Sequence, residues 1–252
     1  MKILVMGELC NDIFWYGNVD RLCPEGPVPI FTPENSIENA GMGGNVCSNL
    51  ESLGVEYDFI HQPTTISKTR YISKRFNQII IRIDDGDSDV SVIDAKVIEN
   101  INFDDYGMVI LSDYNKGFLT NDVIRYIGER AKNIILDTKK CLGDWCSDLT
   151  FIKLNRAEYH ENLEWIEHNK WVIPKLIITL DKDGCLYQGD MYPVDEVSVK
   201  EITGAGDTFV AGFTYKYLTG CDVGGCIRFA NKCSTQVVQD IGVTLINTDL
   251  LV

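Results

Sequence analysis

Short apolar runs recur along the chain at Lys2 to Met6, Met108 to Leu111, Asn133 to Leu136, Thr150 to Leu154 and Lys175 to Leu180. Runs of this length without polar alternation predict strands buried on both faces. Between and after them the apolar positions fall to helical spacing, over Gly44 to Leu53, Ile93 to Ile101, Asn121 to Lys132, Asn155 to Glu161 and Glu164 to Trp171. Two longer helical patterns close the chain, Ala205 to Leu218 and Val223 to Gln239. Strand followed by helix in this order predicts βαβ units and a parallel sheet covered on both sides.

One section breaks the rhythm. From Pro27 to Asp84 the pattern has period two, at Val28 and Ile30 and again over Ser67 to Ser73 and Gln78 to Ile83, and it is interrupted by the helix that begins at Gly44. This predicts a small antiparallel sheet set beside the α/β core. No linker rich in Ser, Pro or Gly divides the chain, and no internal repeat is visible, so a single domain over 1–252 is expected.

Composition then removes whole classes of function. Lys and Arg number 23 against 37 Asp and Glu, for a net charge of −14. That balance opposes a nucleic-acid binder or an anionic membrane surface, and leaves room for a small phosphorylated ligand held by a local cluster of cations. The apolar run at the N-terminus is too short for a signal peptide, and no stretch approaches the roughly 18 apolar residues of a membrane span. The nine cysteines are scattered, with no Cys-x-x-Cys pair and no zinc spacing completed by His61, His160 or His168. Reduced thiols in a cytoplasmic protein are the expectation.

The strongest local signal is Glu201 to Phe209, where Gly204-Ala205-Gly206-Asp207 opens a long apolar helix. Glycines at a helix N-terminus let backbone N–H groups approach an anion, and the helix adds about half a positive charge there. Asp207 stands where a carboxylate could take a proton from an attacking hydroxyl. A Gly-rich loop with an ordinary Asp cap fits the same residues. Gly41-Met42-Gly43-Gly44-Asn45 also precedes a helix but does not satisfy the dinucleotide-binding pattern, and no P-loop exists. Asp85 to Asp89 has Val90 where a calcium loop needs Gly, which leaves an acidic turn. Lys68, Arg70, Lys74, Arg75 and Arg82 cluster in the period-two section. They fit a phosphate-facing strip, or a charged edge strand that discourages aggregation. Asn155-Arg156-Ala157-Glu158 reads as a capping box, with the alternative that Asn and Glu orient magnesium-bound water.

Taken together, Gly43-Gly44-Asn45, Asn155 to Glu158 and Gly204 to Asp207 resemble, in order and over nearly the whole chain, the ribokinase-like (PfkB) carbohydrate kinases. A narrower resemblance, to bacterial D-glycero-β-D-manno-heptose 7-phosphate kinases (the kinase half of a bifunctional ADP-heptose synthesis protein), rests on further groups. These are Phe14 to Gly17, Arg21 to Pro29, Pro63-Thr64-Thr65 with Lys68 and Arg70, then Gln78, Arg82 and Asp84. Ser112-Asp113-Tyr114 with Lys116-Gly117, and Asp137 with Lys139, continue it.

The resemblance implies a doubly wound, mainly parallel α/β sheet with a β-sheet lid from about 13–40 and 64–84. It implies transfer of the ATP γ-phosphoryl group, with Mg²⁺, to O1 of the heptose phosphate for a lipopolysaccharide or other glycan precursor. Asp207 would be the base and Gly204, Ala205 and Gly206 the anion hole. Asp12, Gly43, Gly44 and Asn45 would hold the sugar, and Lys68, Arg70, Arg82 and Lys116 would serve the substrate and its phosphate. Asn155, Glu158, Thr179, Gly184 and Asn231 would serve the nucleotide, with Asn155 and Glu158 reaching metal through water. Lid pairing implies a homodimer. Because no nucleotidyltransferase half follows Val252, that activity is expected on a separate chain.

Two departures bear on these expectations. Only Val55 to Gln62 lie between Leu53-Gly54 and Pro63, so one βα unit of the core is expected to be missing. The usual acidic opening of the family reads Gly7-Glu8-Leu9-Cys10-Asn11-Asp12. A kinase for a different sugar, and a catalytically silent binding or regulatory protein on the same fold, are the competing functions.

Overall fold

In the computed structural model, which describes residues 2–240 and 242–250, alternate residues of each core strand point to opposite sides of one eight-stranded sheet. Its strands, in chain order, are β1 (Lys2–Gly7), β4 (Tyr57–Ile60), β7 (Tyr106–Asp113), β8 (Ile134–Thr138), β9 (Phe151–Asn155), β10 (Leu176–Thr179), β11 (Cys185–Tyr187) and β12 (Asp190–Tyr192). Their spatial order is β12-β11-β10-β9-β8-β7-β1-β4, parallel except for the terminal hairpin of β10, β11 and β12. Leu4, Met6, Val109, Leu111, Ile134 and Leu136 join one core layer. It is covered by helices α2 (Ala95–Glu99), α3 (Asn121–Gly128), α4 (Arg156–Glu161) and α5 (Leu163–His168). Ile3, Val5, Met108, Ile110 and Ile135 join the other layer, under α1 (Gly43–Ser52), α6 (Ala205–Leu218) and α7 (Val223–Val237). The period of two explains both layers, because strands covered on both faces need apolar residues at every position.

The second sheet differs from the expected one. It has four strands in the order β3 (Thr32–Met42), β2 (Leu9–Asn18), β5 (Ile66–Ser73), β6 (Gln78–Asp85). It is mixed rather than antiparallel, since β2 and β5 run parallel while the outer pairs are antiparallel. β2 leaves β1 across the single residue Glu8, so the small sheet starts well before Pro27. Val28 and Ile30 lie in no strand; only an isolated bridge, Leu22 to Pro29, marks that segment. The helices expected over Ile93 to Ile101 and Asn121 to Lys132 shorten to α2 and α3. Asn155 lies outside α4 as its cap. After α1 the chain forms β4 at the sheet edge beside β1 and passes to β5 with no intervening helix, as the short spacing after Gly54 implied.

Candidate active site

The carboxylate of Asp207 sits in the first turn of α6, 5% exposed, where the large sheet faces the small one. Gly204 caps the helix with φ +84°, a left-handed conformation that a side chain strains. A Cβ there would also lie 2.5 Å from Asn45 Nδ2. Two groups hold the carboxylate. Asn45 Nδ2 donates to Asp207 Oδ2 at 2.9 Å, and the Tyr114 hydroxyl donates to Oδ1 at 2.9 Å. Burial pushes the Asp207 pKa up to about 6 from 3.8, Asp137 adds to the rise, and the two hydrogen bonds and Lys153 pull against it. A carboxylate tuned toward neutrality and still able to accept is suited to taking a proton from a hydroxyl.

Beside this turn lies a cavity of about 670 Å³. Gly204, Ala205, Gly206, Asn155, Thr179, Gly184 and Asn231 all line it, together with Asp137, Lys139 and Lys153. Lys153 Nζ lies 3.1 Å and 3.2 Å from the two carboxylate oxygens of Asp137, and a Cβ on Gly206 would come within 2.9 Å of that ammonium. A side chain at Gly206 would therefore push the Lys153 ammonium aside where the helix N-terminus meets it. Glu158 and Asn155 form a complete capping box, Asn155 Oδ1 accepting from Glu158 N at 2.9 Å and Glu158 Oε2 from Asn155 N at 2.7 Å. Lys139 pairs with the other oxygen of Glu158. Asn231 spends its amide on the carbonyl of Tyr192 at 2.8 Å and so fixes the segment that leads over the cavity.

The inner face of the small sheet closes the other side. Asp12, Phe14, Lys68 and Arg70 alternate inward on β2 and β5, all buried. Arg70 donates to Asp12 at 2.5 Å and covers the Phe14 ring at 4.8 Å. Lys68 lies 5.5 Å from the centre of the Tyr114 ring, and among the described residues no carboxylate lies within ion-pairing distance of it. Gly41 is the glycine that touches this pair, since a Cβ there would lie 2.1 Å from Asp12 Oδ2.

Other expected residues have different positions. Gly43 and Gly44 are packing glycines: a Cβ on Gly44 would lie 2.5 Å from Leu9 and one on Gly43 3.1 Å from the Glu8 carbonyl. Asn45 faces Asp207 and, through Oδ1, Asn49. Arg82 stands opposite Arg70 on the exposed β6 and pairs with Asp84 at 2.6 Å. Lys116 pairs with Asp87 away from the cavity lining. The acidic turn around Asp87 is thus an ion-pair anchor, and no cluster of three or more potential metal ligands exists among the described residues.

The chemistry of Tyr114 and Lys153 is not predicted from their sequence context alone. A lysine inside the apolar strand Phe151–Asn155 was the available signal, because a charge on a strand buried on both faces needs a partner.

Comparison with known proteins agrees with this geometry. The family model described as pfkB family carbohydrate kinase matches residues 147–249. The bifunctional protein HldE of Nitratiruptor sp. is 28% identical over 291 aligned positions, covering 96% of this chain and 62% of that protein. HldE of Helicobacter pylori J99 is 30% identical, covering 97% and 64%. The chain therefore spans somewhat under two thirds of these relatives, and an alignment longer than the chain's 252 residues means they carry residues it lacks. Arabidopsis thaliana ribokinase, solved with ribose and ATP, superposes with TM-score 0.71 at 15% identity over 96% of this chain and 93% of its own. Escherichia coli phosphofructokinase-2 gives TM-score 0.71 at 13% identity over 100% and 97%. The architecture is ribokinase-like.

Proposed function

Because residues 147–249 match the pfkB family carbohydrate kinase model and nearly the whole chain aligns with HldE proteins, we propose that it is a carbohydrate kinase of that family and transfers the γ-phosphoryl group of ATP to a hydroxyl of a sugar phosphate. O1 of D-glycero-D-manno-heptose 7-phosphate is the favoured acceptor. The observation that carries the reading is the placement of Asp207, held by Asn45 and Tyr114 between the cavity and the inner face of the small sheet.

In this reading the cavity takes ATP, and the N-terminus of α6 receives the phosphoryl oxygens with Lys153 and Lys139 close by. Phosphoryl transfer is mostly positioning and charge stabilisation, which buried N–H groups and lysines supply without reorganising. Asp207 accepts the acceptor hydroxyl's proton as the oxygen attacks. Lys68, with no acidic partner among the described residues, supplies a cation for the sugar's existing phosphate, and Arg70 adds a second that it shares with Asp12. Arg82 and Lys116 would have to leave their carboxylate partners to join them.

Magnesium, which neutralises phosphate charge, takes oxygen ligands and is commonly held by one or two carboxylates plus substrate phosphates. The residues fit an ion carried by the nucleotide. Asn155 Oδ1 and both carboxylate oxygens of Glu158 already accept hydrogen bonds, and we assign these two residues contact with such an ion through water. A second acceptor class, another sugar or sugar phosphate, draws on the direct passage from β4 to β5, where the expected βα unit is missing.

The small sheet would act as the lid. Ile81 and Ile83 are about half exposed on its outer face, on the same side as Trp15 and Tyr71, and we read this face as the contact of a homodimer. ADP release measured with heptose 7-phosphate and with a panel of free sugars tests the whole reading. Turnover confined to the phosphorylated heptose, lost about 10²- to 10⁴-fold in Asp207→Asn, is expected. Preference for an unphosphorylated hexose would overturn the acceptor, and equal rates in wild type and variant would overturn the mechanism.

A further inference from the structure

The loop after β7 carries Tyr114 to the base through a backbone that does not hold itself. Asn115 has φ +57° and Gly117 φ +111°, so two of four consecutive residues lie in the left-handed region. The grip comes from Glu8, the one residue between β1 and β2, whose side chain is fully buried. Glu8 Oε2 accepts the N–H of Tyr114 at 2.8 Å, and Oε1 accepts those of Lys116 at 3.1 Å and Phe118 at 3.2 Å. A carboxylate is the side chain with enough lone pairs on two oxygens to take three such donors. At the other end of the turn Asp113 is fixed by Thr138 Oγ1 at 2.5 Å and Lys140 Nζ at 2.5 Å and 2.6 Å.

We propose that Tyr114 is a positioning residue for the base and that Glu8 positions Tyr114. The hydroxyl of Tyr114 fixes one oxygen of Asp207 while Asn45 fixes the other, which leaves the remaining lone pairs directed toward the acceptor hydroxyl. Both bonds favour the charged carboxylate and so oppose the burial that favours its protonation. The inference rests on the kinase reading for its consequence in turnover, and on the contacts alone for its effect on Asp207. The groups around the pair come from every adjoining element: Asp137 from β8, Lys153 from β9, Lys139 beyond β8, Cys10 from β2 and Lys68 from β5. Of these, Asp137 and Cys10 favour the protonated forms of Asp207 and Tyr114 respectively, and Lys153 favours the charged form of Asp207.

Tyr114→Phe keeps the ring beside Lys68 and Lys139 and removes only the donor. Deleting a hydrogen bond to a charged group is expected to raise the Asp207 pKa by about one unit. The acid limb of the kcat profile then moves up in pH by that amount, so kcat falls about tenfold near pH 5 and about twofold at pH 7, and KM for ATP stays within about twofold. Glu8→Gln, with one acceptor oxygen in place of two, is expected to move the limb in the same direction. Adding it to Tyr114→Phe should produce no further movement. Carboxyl ¹³C titration of Asp207 in the full chain gives the same pKa without turnover. A shifted titration with no activity toward any acceptor would sink the kinase reading and leave this inference standing. An Asp207 titration and acid limb unmoved in Tyr114→Phe overturn it.

Discussion

Replacing Asp207 by Asn should make the protein more stable as it destroys the proposed activity, and the gain should depend on pH in a fixed direction. The folded carboxyl titrates at about 6 against an ordinary 3.8. Between those values the unfolded chain releases a proton that the folded chain retains. Stability therefore falls as pH rises through this window and stays lowered above it. At about 1.4 kcal/mol per pKa unit the penalty reaches about 3 kcal/mol at pH 7. The amide carries no such penalty, and its geometry suits the site: its oxygen accepts from Asn45, and its NH₂ donates to the Tyr114 hydroxyl, which accepts as readily as it donates. Urea unfolding of wild type and Asp207→Asn from pH 4 to pH 8 reads the difference. The variant should gain little at pH 4, and its advantage should grow to about 2–3 kcal/mol by pH 7 and then level off. A constant difference across the range, or a variant less stable at pH 8, would refute the claim that a buried, strained charge is kept for chemistry.

Other outcomes follow from the same contacts. Gly204→Ala meets both a left-handed φ, costing about 1–2 kcal/mol, and Asn45 at 2.5 Å; a lower Tm with at least a tenfold fall in kcat is expected from thermal melts and ADP release. Arg70→Met strands the buried Asp12 and should cost about 3–5 kcal/mol in urea unfolding, much of it recovered when Asp12→Asn is added. Lys68→Met breaks no ion pair among the described residues, so stability should hold or rise while KM for a phosphorylated acceptor climbs more than tenfold and KM for ATP does not. Light scattering at micromolar concentration should give a dimer that Ile81→Glu converts to monomer; a monomeric wild type contradicts the proposed contact.

The large sheet was readable because its strands are short apolar runs, and α6 because a Gly-rich turn precedes a long apolar helix. β3 was legible only through the resemblance, which placed 13–40 in the lid, and not from its residues: Thr32–Met42 holds Pro33, Glu34, Asn35, Glu38 and Asn39, residues depleted in strands, and most of it is exposed at a sheet edge. Its strand form comes from pairing with β2 along its length. At the site, Asp207 and its glycines announced themselves by local spacing. The contacts of Tyr114 and Lys153 did not, because each depends on partners far away in sequence, Asp207 and Asp137, that only the folded sheet brings near. The cation strip was half legible: period two placed Lys68 and Arg70 on one face, and nothing local indicated that Arg70 would be taken by Asp12.

Asp137 and Lys153 are direct partners in the β8 to β9 ladder. A slip of one residue between these strands would turn Lys153 into the apolar layer and leave Asp137 facing a leucine or an isoleucine, with both charges stranded out of water. The pair thus acts as a key that admits a single alignment of the central strands. The same ion pair that brings a cation to the proposed phosphoryl site tells the chain, as it folds, which way to line up.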